Sequence, residues 1–191
     1  MTKVYQFFAN GFEEIEALAV VDILRRGGVD IKTVSITGNI EVTTAHGVTL
    51  KADVLFENVA DFSQAEMLLL PGGMQPGALS LNEFEPLRQL LLSHHKAGKR
   101  IGAICAAPLV LASLGILDGK KATCYPGIEK TYFTPAIQYT GALFEEDGNI
   151  ITGEGPAATL PYAYRILSYF VSPEATEAMQ QAMVFDHLMH K

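Results

Sequence analysis

Cysteine is scarce in this 191-residue chain, which holds only Cys105 and Cys124. Two are too few for a disulfide framework, and this excludes the small stapled folds of secreted proteins. Charge is also sparse: acidic and basic residues together make up 18%, and 14 basic against 21 acidic side chains leave a net charge of −7. No block of Lys and Arg stands out, so neither nucleic acid nor an anionic membrane surface is expected as the main partner. No apolar run is long enough to span a bilayer. The opening MTKVYQFFANGFEE lacks the long apolar region and small-residue cleavage site of a signal peptide. The expected location is the cytoplasm.

What is present is a globular mix, 49% hydrophobic, long enough for one domain over residues 1–191 whose core needs neither disulfide nor metal. Strand-like and helix-like stretches alternate. KVYQFFA (3–9) reads as a strand. Residues 13–28 read as a helix, with Ile15, Leu18, Ala19 and Ile23 at helical spacing and Gly27-Gly28 as its stop. Residues 30–36 form the next strand, and 40–53 a small hairpin with His46-Gly47 near its turn. A buried strand at 66–70 breaks on Pro71-Gly72-Gly73, and an amphipathic helix follows over 83–99. Then come a strand at 100–104, a helix from Pro108 that stops near Gly115, and a short strand within 120–127. A hairpin over 140–156 turns at Asp147-Gly148. Two helices, 157–170 and 173–188, are split at Ser172-Pro173.

Strands separated by helices of this length imply right-handed crossovers and a mostly parallel sheet covered on both faces. Sites in such sheets lie beyond the carboxyl ends of the strands. Three unusual stretches fall there: NGFEEIE after the first strand, PGG after the 66–70 strand, and Cys105 in RIGAICAAPLVLA.

Cys105 stands where a strand becomes a helix. The unpaired N–H groups and partial positive charge of a first helical turn favour a thiolate, so its pKa is expected to be lowered. The small neighbours Ala103, Ala106 and Ala107 leave room for a substrate. The same position also suits a small buried hydrophobe. Gly72-Gly73 lets the backbone come close to a ligand and aim N–H groups at an oxyanion, or it makes an ordinary turn. Glu16 shares a helix stripe with Val20 and Ile23. Facing inward it becomes a carboxyl of raised pKa that can hold or shuttle a proton; facing outward it is a solvated acid. Glu13 and Glu14 read as acids favoured by the helix dipole. His94-His95 read as surface residues. His187 and His190 lie one turn apart, but no third ligand is evident, so no metal is expected. Cys124 reads as a packed strand residue. Its pairing with Cys105 stays open.

Taken together, NGFEEIEALAVVDILRRGG, LLLPGG, IGAICAAPLVLA and ITGEGPAAT resemble the ThiJ/PfpI family, and the resemblance runs from near the N-terminus to the penultimate helix. It implies an α/β, flavodoxin-like three-layer sandwich of the class I glutamine amidotransferase type, usually a homodimer. By position, Cys105 resembles the family nucleophile and Glu16 its protonated carboxyl partner. Gly72, Gly73 and Ala106 resemble the positions whose backbone forms the oxyanion pocket, and the GEGP stretch ending at Pro156 resembles a pocket-edge loop. The implied activities are cofactor-free conversion of methylglyoxal to lactate and deglycation of glyoxal adducts, with redox-sensing and chaperone roles beside them. Small-molecule hydrolysis on the same scaffold is the remaining alternative. Protease-like members carry His after the nucleophile; here Ala106 stands there, so that dyad is absent. Where glyoxalase-type members often place a His in the next loop, this chain has Tyr125, which donates a hydrogen bond near neutrality but is a poor general base. Where some relatives carry an Arg near the pocket and dimer seam, this chain has His46.

Overall fold

The computed structural model describes residues 3–189. Its elements in chain order are β1 (Val4–Phe8), α1 (Glu14–Arg26), β2 (Ile31–Ser35), β3 (Glu41–Thr43), β4 (Thr49–Lys51), β5 (Val54–Leu55), β6 (Met67–Leu70), α2 (Leu79–Glu83) and α3 (Glu85–Lys96). They continue with β7 (Arg100–Ile104), α4 (Pro108–Ser113), β8 (Lys121–Ala122), α5 (Ile128–Tyr132), β9 (Gln138–Tyr139), β10 (Phe144–Asp147), β11 (Ile150–Gly153), α6 (Thr159–Leu167), α7 (Pro173–Ala182) and α8 (Phe185–Met189).

Seven strands form one sheet in the order β10-β11-β7-β6-β1-β2-β5. All pairs are parallel except β10 with β11, the hairpin that turns at Asp147-Gly148. The central strands β1 and β6 are buried throughout, as expected of a sheet covered on both faces. From β1 the chain steps one way to β2 through α1, and from β6 the opposite way to β7 through α3. Right-handed crossovers in opposite directions put α1 and α3 on opposite faces. The reversal between β1 and β6 opens a crevice at their carboxyl ends. This is the flavodoxin-like α/β architecture that the sequence implies.

Several local readings change. In α1 the apolar Ile15 and Leu18 are 56% and 41% exposed. The buried stripe is instead Glu16, Ala17, Val20, Val21, Ile23 and Leu24. The 120–127 strand shrinks to β8, which pairs with β9 in a separate two-stranded ribbon. The α5 helix was not evident from the sequence. The last helix is broken at Val184, whose φ of 58° ends α7 and starts α8. His94 is buried, not a surface residue. Its Nε2–H donates to the Arg100 carbonyl at 3.1 Å, and burial pulls its pKa down to about 4. His187 is exposed, and His190 lies outside the described residues.

The β3–β4 hairpin matters for the site. Phe8 and Phe12 stack at 4.3 Å and pack with Val42 and Ala52 in a second small core. Backbone bonds from Gly11 N–H to Thr43 O and from Ala45 N–H to Phe12 O clamp the hairpin onto the β1–α1 loop. That clamp sets the hairpin turn, with His46, against the start of α1.

Candidate functional site

Cys105 directly follows β7 and stands in the left-handed region, with φ of 62°. A side chain there costs about 1–2 kcal/mol, so the surroundings must impose it. The Cys105 N–H donates to Gly153 O at 2.9 Å, while its carbonyl accepts the Tyr125 N–H at 2.8 Å. The backbone is held from both sides, and the turn aims Sγ into the crevice. Cys105→Gly is therefore expected to be more stable than Cys105→Ala by about 1 kcal/mol. Relief of the φ penalty outweighs the roughly 0.4–1 kcal/mol that glycine loses through the unfolded chain. Urea unfolding checks this, and equal stability of the two variants would mean the elbow is unstrained.

Glu16 is fully buried. Glu13 caps α1: its Oε2 accepts the Glu16 N–H at 2.8 Å. The inward stripe of α1 then carries Glu16 toward the loop after β6, where its Oε2 accepts the Gly72 N–H at 2.9 Å. Its other oxygen accepts no backbone or side-chain N–H among the described residues. Gly72 sits between the Glu16 carboxyl and the Cys105 thiol. A methyl group at that position would overlap Glu16 Oε2 and come within 2.6 Å of Cys105 Cβ and 3.0 Å of Sγ. Gly73, at φ 96°, packs against Gly11 O. Only glycine fits either requirement.

Burial raises the Glu16 pKa from its ordinary value near 4.5 to about 7; its hydrogen bond with Cys105 pulls the other way, and the nearby Glu13 charge adds to the rise. The lowered thiol pKa expected from sequence is not found. Burial, followed by the charge and hydrogen bond of Glu16, pushes the Cys105 thiol up, while the N–H groups of Gly73 and Ala106 pull it down more weakly. The helix that was to lower it, α4, starts three residues later and spans six residues. The thiol and carboxyl thus act as a coupled pair. They hold one proton between them above neutrality, because two charges in contact inside the protein are disfavoured.

Cys105 is only 8% exposed but lines a cavity of about 450 Å³. Gly73, Ala106, Tyr125, His46 and Pro156 line it too. Glu16 and Gly72 are not on its wall; they sit against the sulfur from inside. Tyr125 is exposed at the rim. His46 Nδ1 is 3.0 Å from Glu14 Oε1, an ion pair that raises the His46 pKa. Glu13 and Met74 also line the cavity and were not anticipated there. The N-cap position of Glu13 was visible in NGFEEIE; its turn toward the cavity was not. Cys124 is buried just beyond β8, and both cysteines are free thiols.

A doubly wound sheet with a cysteine at a strained strand-to-helix elbow, backed by a buried carboxyl, defines a class of cysteine-elbow α/β proteins. Residues 2–169 match the DJ-1/PfpI family model, and the chain belongs to that family. It is 34% identical over 173 residues to protein DJ-1 homolog B of Arabidopsis thaliana, covering 90% of this chain and 39% of that one. It is 31% identical over 155 residues to a deglycase of Pyrococcus horikoshii, covering 81% and 91%. The chain thus spans only about two fifths of the length of the Arabidopsis relative. Among solved structures it is similar to Drosophila melanogaster DJ-1beta, at 30% identity and TM-score 0.89, covering 96% and 98% of the two chains. It is equally similar to an oxidized DJ-1 of Toxoplasma gondii, with the same identity, score and coverage. Among the described residues, no helix is long and apolar enough to cross a membrane.

Proposed function

We propose that this protein is a cysteine-dependent enzyme that needs no cofactor and acts on small reactive carbonyls in the manner of a glyoxalase or deglycase. The observation that carries the reading is the contact pair of Cys105 at its left-handed elbow and the fully buried Glu16. The Cys105 thiolate adds to the aldehyde carbon of methylglyoxal to give a hemithioacetal. The N–H groups of Gly73 and Ala106 hold its alkoxide. Glu16, which accepts the thiol's proton as the sulfur adds, gives that proton to the alkoxide; it then removes the proton on the former aldehyde carbon and delivers it to the neighbouring carbon while the hydroxyl proton passes to the ketone oxygen, leaving a lactoyl thioester. Water then releases lactate and restores the thiol. On a glycated adduct the sulfur bonds to the hemiaminal carbon as its C–N bond breaks, and the amine leaves with the proton that Glu16 accepted from the thiol, giving the same hemithioacetal. Tyr125 stands in for the family histidine as a hydrogen-bond donor at the rim, so Glu16 carries the proton transfers alone. We place the chain as one domain in the cytoplasm. The exposed apolar Ile15 and Leu18 on α1 support a homodimer.

Lactate production from methylglyoxal, followed enzymatically, tests the reading. Wild type is expected to form lactate and Cys105→Ser to fall to the uncatalysed background. Equal rates in the two proteins would reject it. A second reading, oxidation of Cys105 as a stress sensor, is supported by the hydrogen bond that a protonated Glu16 offers to a sulfinate.

A further inference from the structure

Beside the cysteine, Glu13 and His46 of the cavity wall meet Glu14, and the proposed carbonyl chemistry uses none of the three. Glu13 and Glu14 start α1, and His46 comes from the β3–β4 hairpin turn, 32 residues from Glu14 in sequence. Each offers one ligand atom, and the three atoms all lie within 4.8 Å of one another. We propose that Glu13, Glu14 and His46 form a divalent metal site of the Zn²⁺ class at the mouth of the Cys105 cavity.

The donors point to this chemistry. An imidazole nitrogen and two carboxylate oxygens suit a borderline ion such as Zn²⁺, which takes three protein ligands and leaves a position open to solvent or substrate. Mg²⁺ and Ca²⁺ prefer more oxygens and no imidazole. Two observations beyond the clustering favour a cation there. Glu14 Oε2 is shielded from solvent and has no hydrogen-bond partner among the described residues. Glu13 is only 8% exposed, and its capping bond uses Oε2, leaving Oε1 for another partner. The Glu14–His46 contact at 3.0 Å is held by one proton, which an ion can replace. Ligand bonds of about 2.0–2.2 Å require the donors to draw together by roughly an ångström. His46 can supply that movement, since its side chain is 70% exposed on a turn.

The full chain, freed of metal, is titrated with Zn²⁺ alone and followed by calorimetry. The same titration is run on Cys105→Ser, His46→Ala and Glu14→Gln. One equivalent is expected to bind wild type and Cys105→Ser alike. Affinity is expected to drop at least tenfold in His46→Ala and in Glu14→Gln. Co²⁺ is the second probe: visible bands of nitrogen and oxygen ligation, without a thiolate charge-transfer band, are expected in wild type and absent from His46→Ala. No saturable binding at micromolar Zn²⁺ would overturn the site. So would binding that survives both rim variants, binding lost in Cys105→Ser, or a thiolate band. Because the site does not use Cys105, these outcomes are independent of the lactate assay.

Discussion

Glu16→Gln is expected to be about 3 kcal/mol more stable than wild type at pH 8, with the difference gone near pH 4. The carboxyl is buried, and its pKa rises from near 4.5 when the chain is unfolded to about 7 in the fold. Between those values the native protein keeps a proton that the unfolded chain has already lost. Stability therefore falls as pH rises through this window, by about 1.4 kcal/mol per pH unit. Above pH 7 both states have lost it and the deficit is constant. The amide of glutamine has the same shape, still accepts the Gly72 N–H and never ionises, so its stability lacks this slope. Urea unfolding at several pH values between 4 and 8 measures the two curves. Parallel curves would mean that Glu16 ionises normally inside the fold, and the shared proton on which the proposed chemistry depends would be lost.

This energetic cost explains what could and could not be read from the sequence. The elbow was legible because it is local: four apolar strand residues after Arg100, a cysteine and then Pro108 at the first turn of α4 leave the cysteine at the turn. The glycine pair after β6 was legible for the same reason. The inward direction of Glu16 was open, because α1 carries apolar residues on both sides. Only packing decides that Ile15 and Leu18 face out while a carboxyl faces in. The ionisation of Cys105 was read in the wrong direction. Local sequence shows the backbone dipoles around a thiol, whereas its burial and its carboxyl neighbour come from strands and helices far apart in the chain. The meeting of His46 with Glu14 depends on how Phe8 and Phe12 seat the hairpin, a contact that no spacing encodes. His94 followed the same pattern, since its burial is set by the contact of α3 with β7.

Alkylation of Cys105 by iodoacetamide is expected to level off above pH 7 in wild type, rising only about twofold from pH 7 to pH 9. An isolated thiol with a pKa near 8.5 would gain about 25-fold over the same range. The reason is the pairing with Glu16. Once the first proton has left the pair, near pH 7, the remaining one is divided between sulfur and oxygen in a ratio that pH does not alter. The thiolate share is then constant until the second proton leaves, and burial, with the Glu16 charge added to it, pushes that step far up. In Glu16→Gln only the sulfur can release the first proton. The first ionisation of a pair always lies below that of either member alone, so the midpoint moves up in the variant. Its rate should keep climbing, at least fivefold from pH 7 to pH 9. Mass spectrometry of the Cys105 peptide separates this signal from Cys124, which is buried with a thiol pushed up to about 12. Superimposable profiles for wild type and variant would show that the carboxyl does not share its proton with the thiol. A wild-type profile that climbs 25-fold would show an ordinary cysteine at the elbow. Either result removes the means by which a sulfur buried this deeply is charged when a carbonyl arrives.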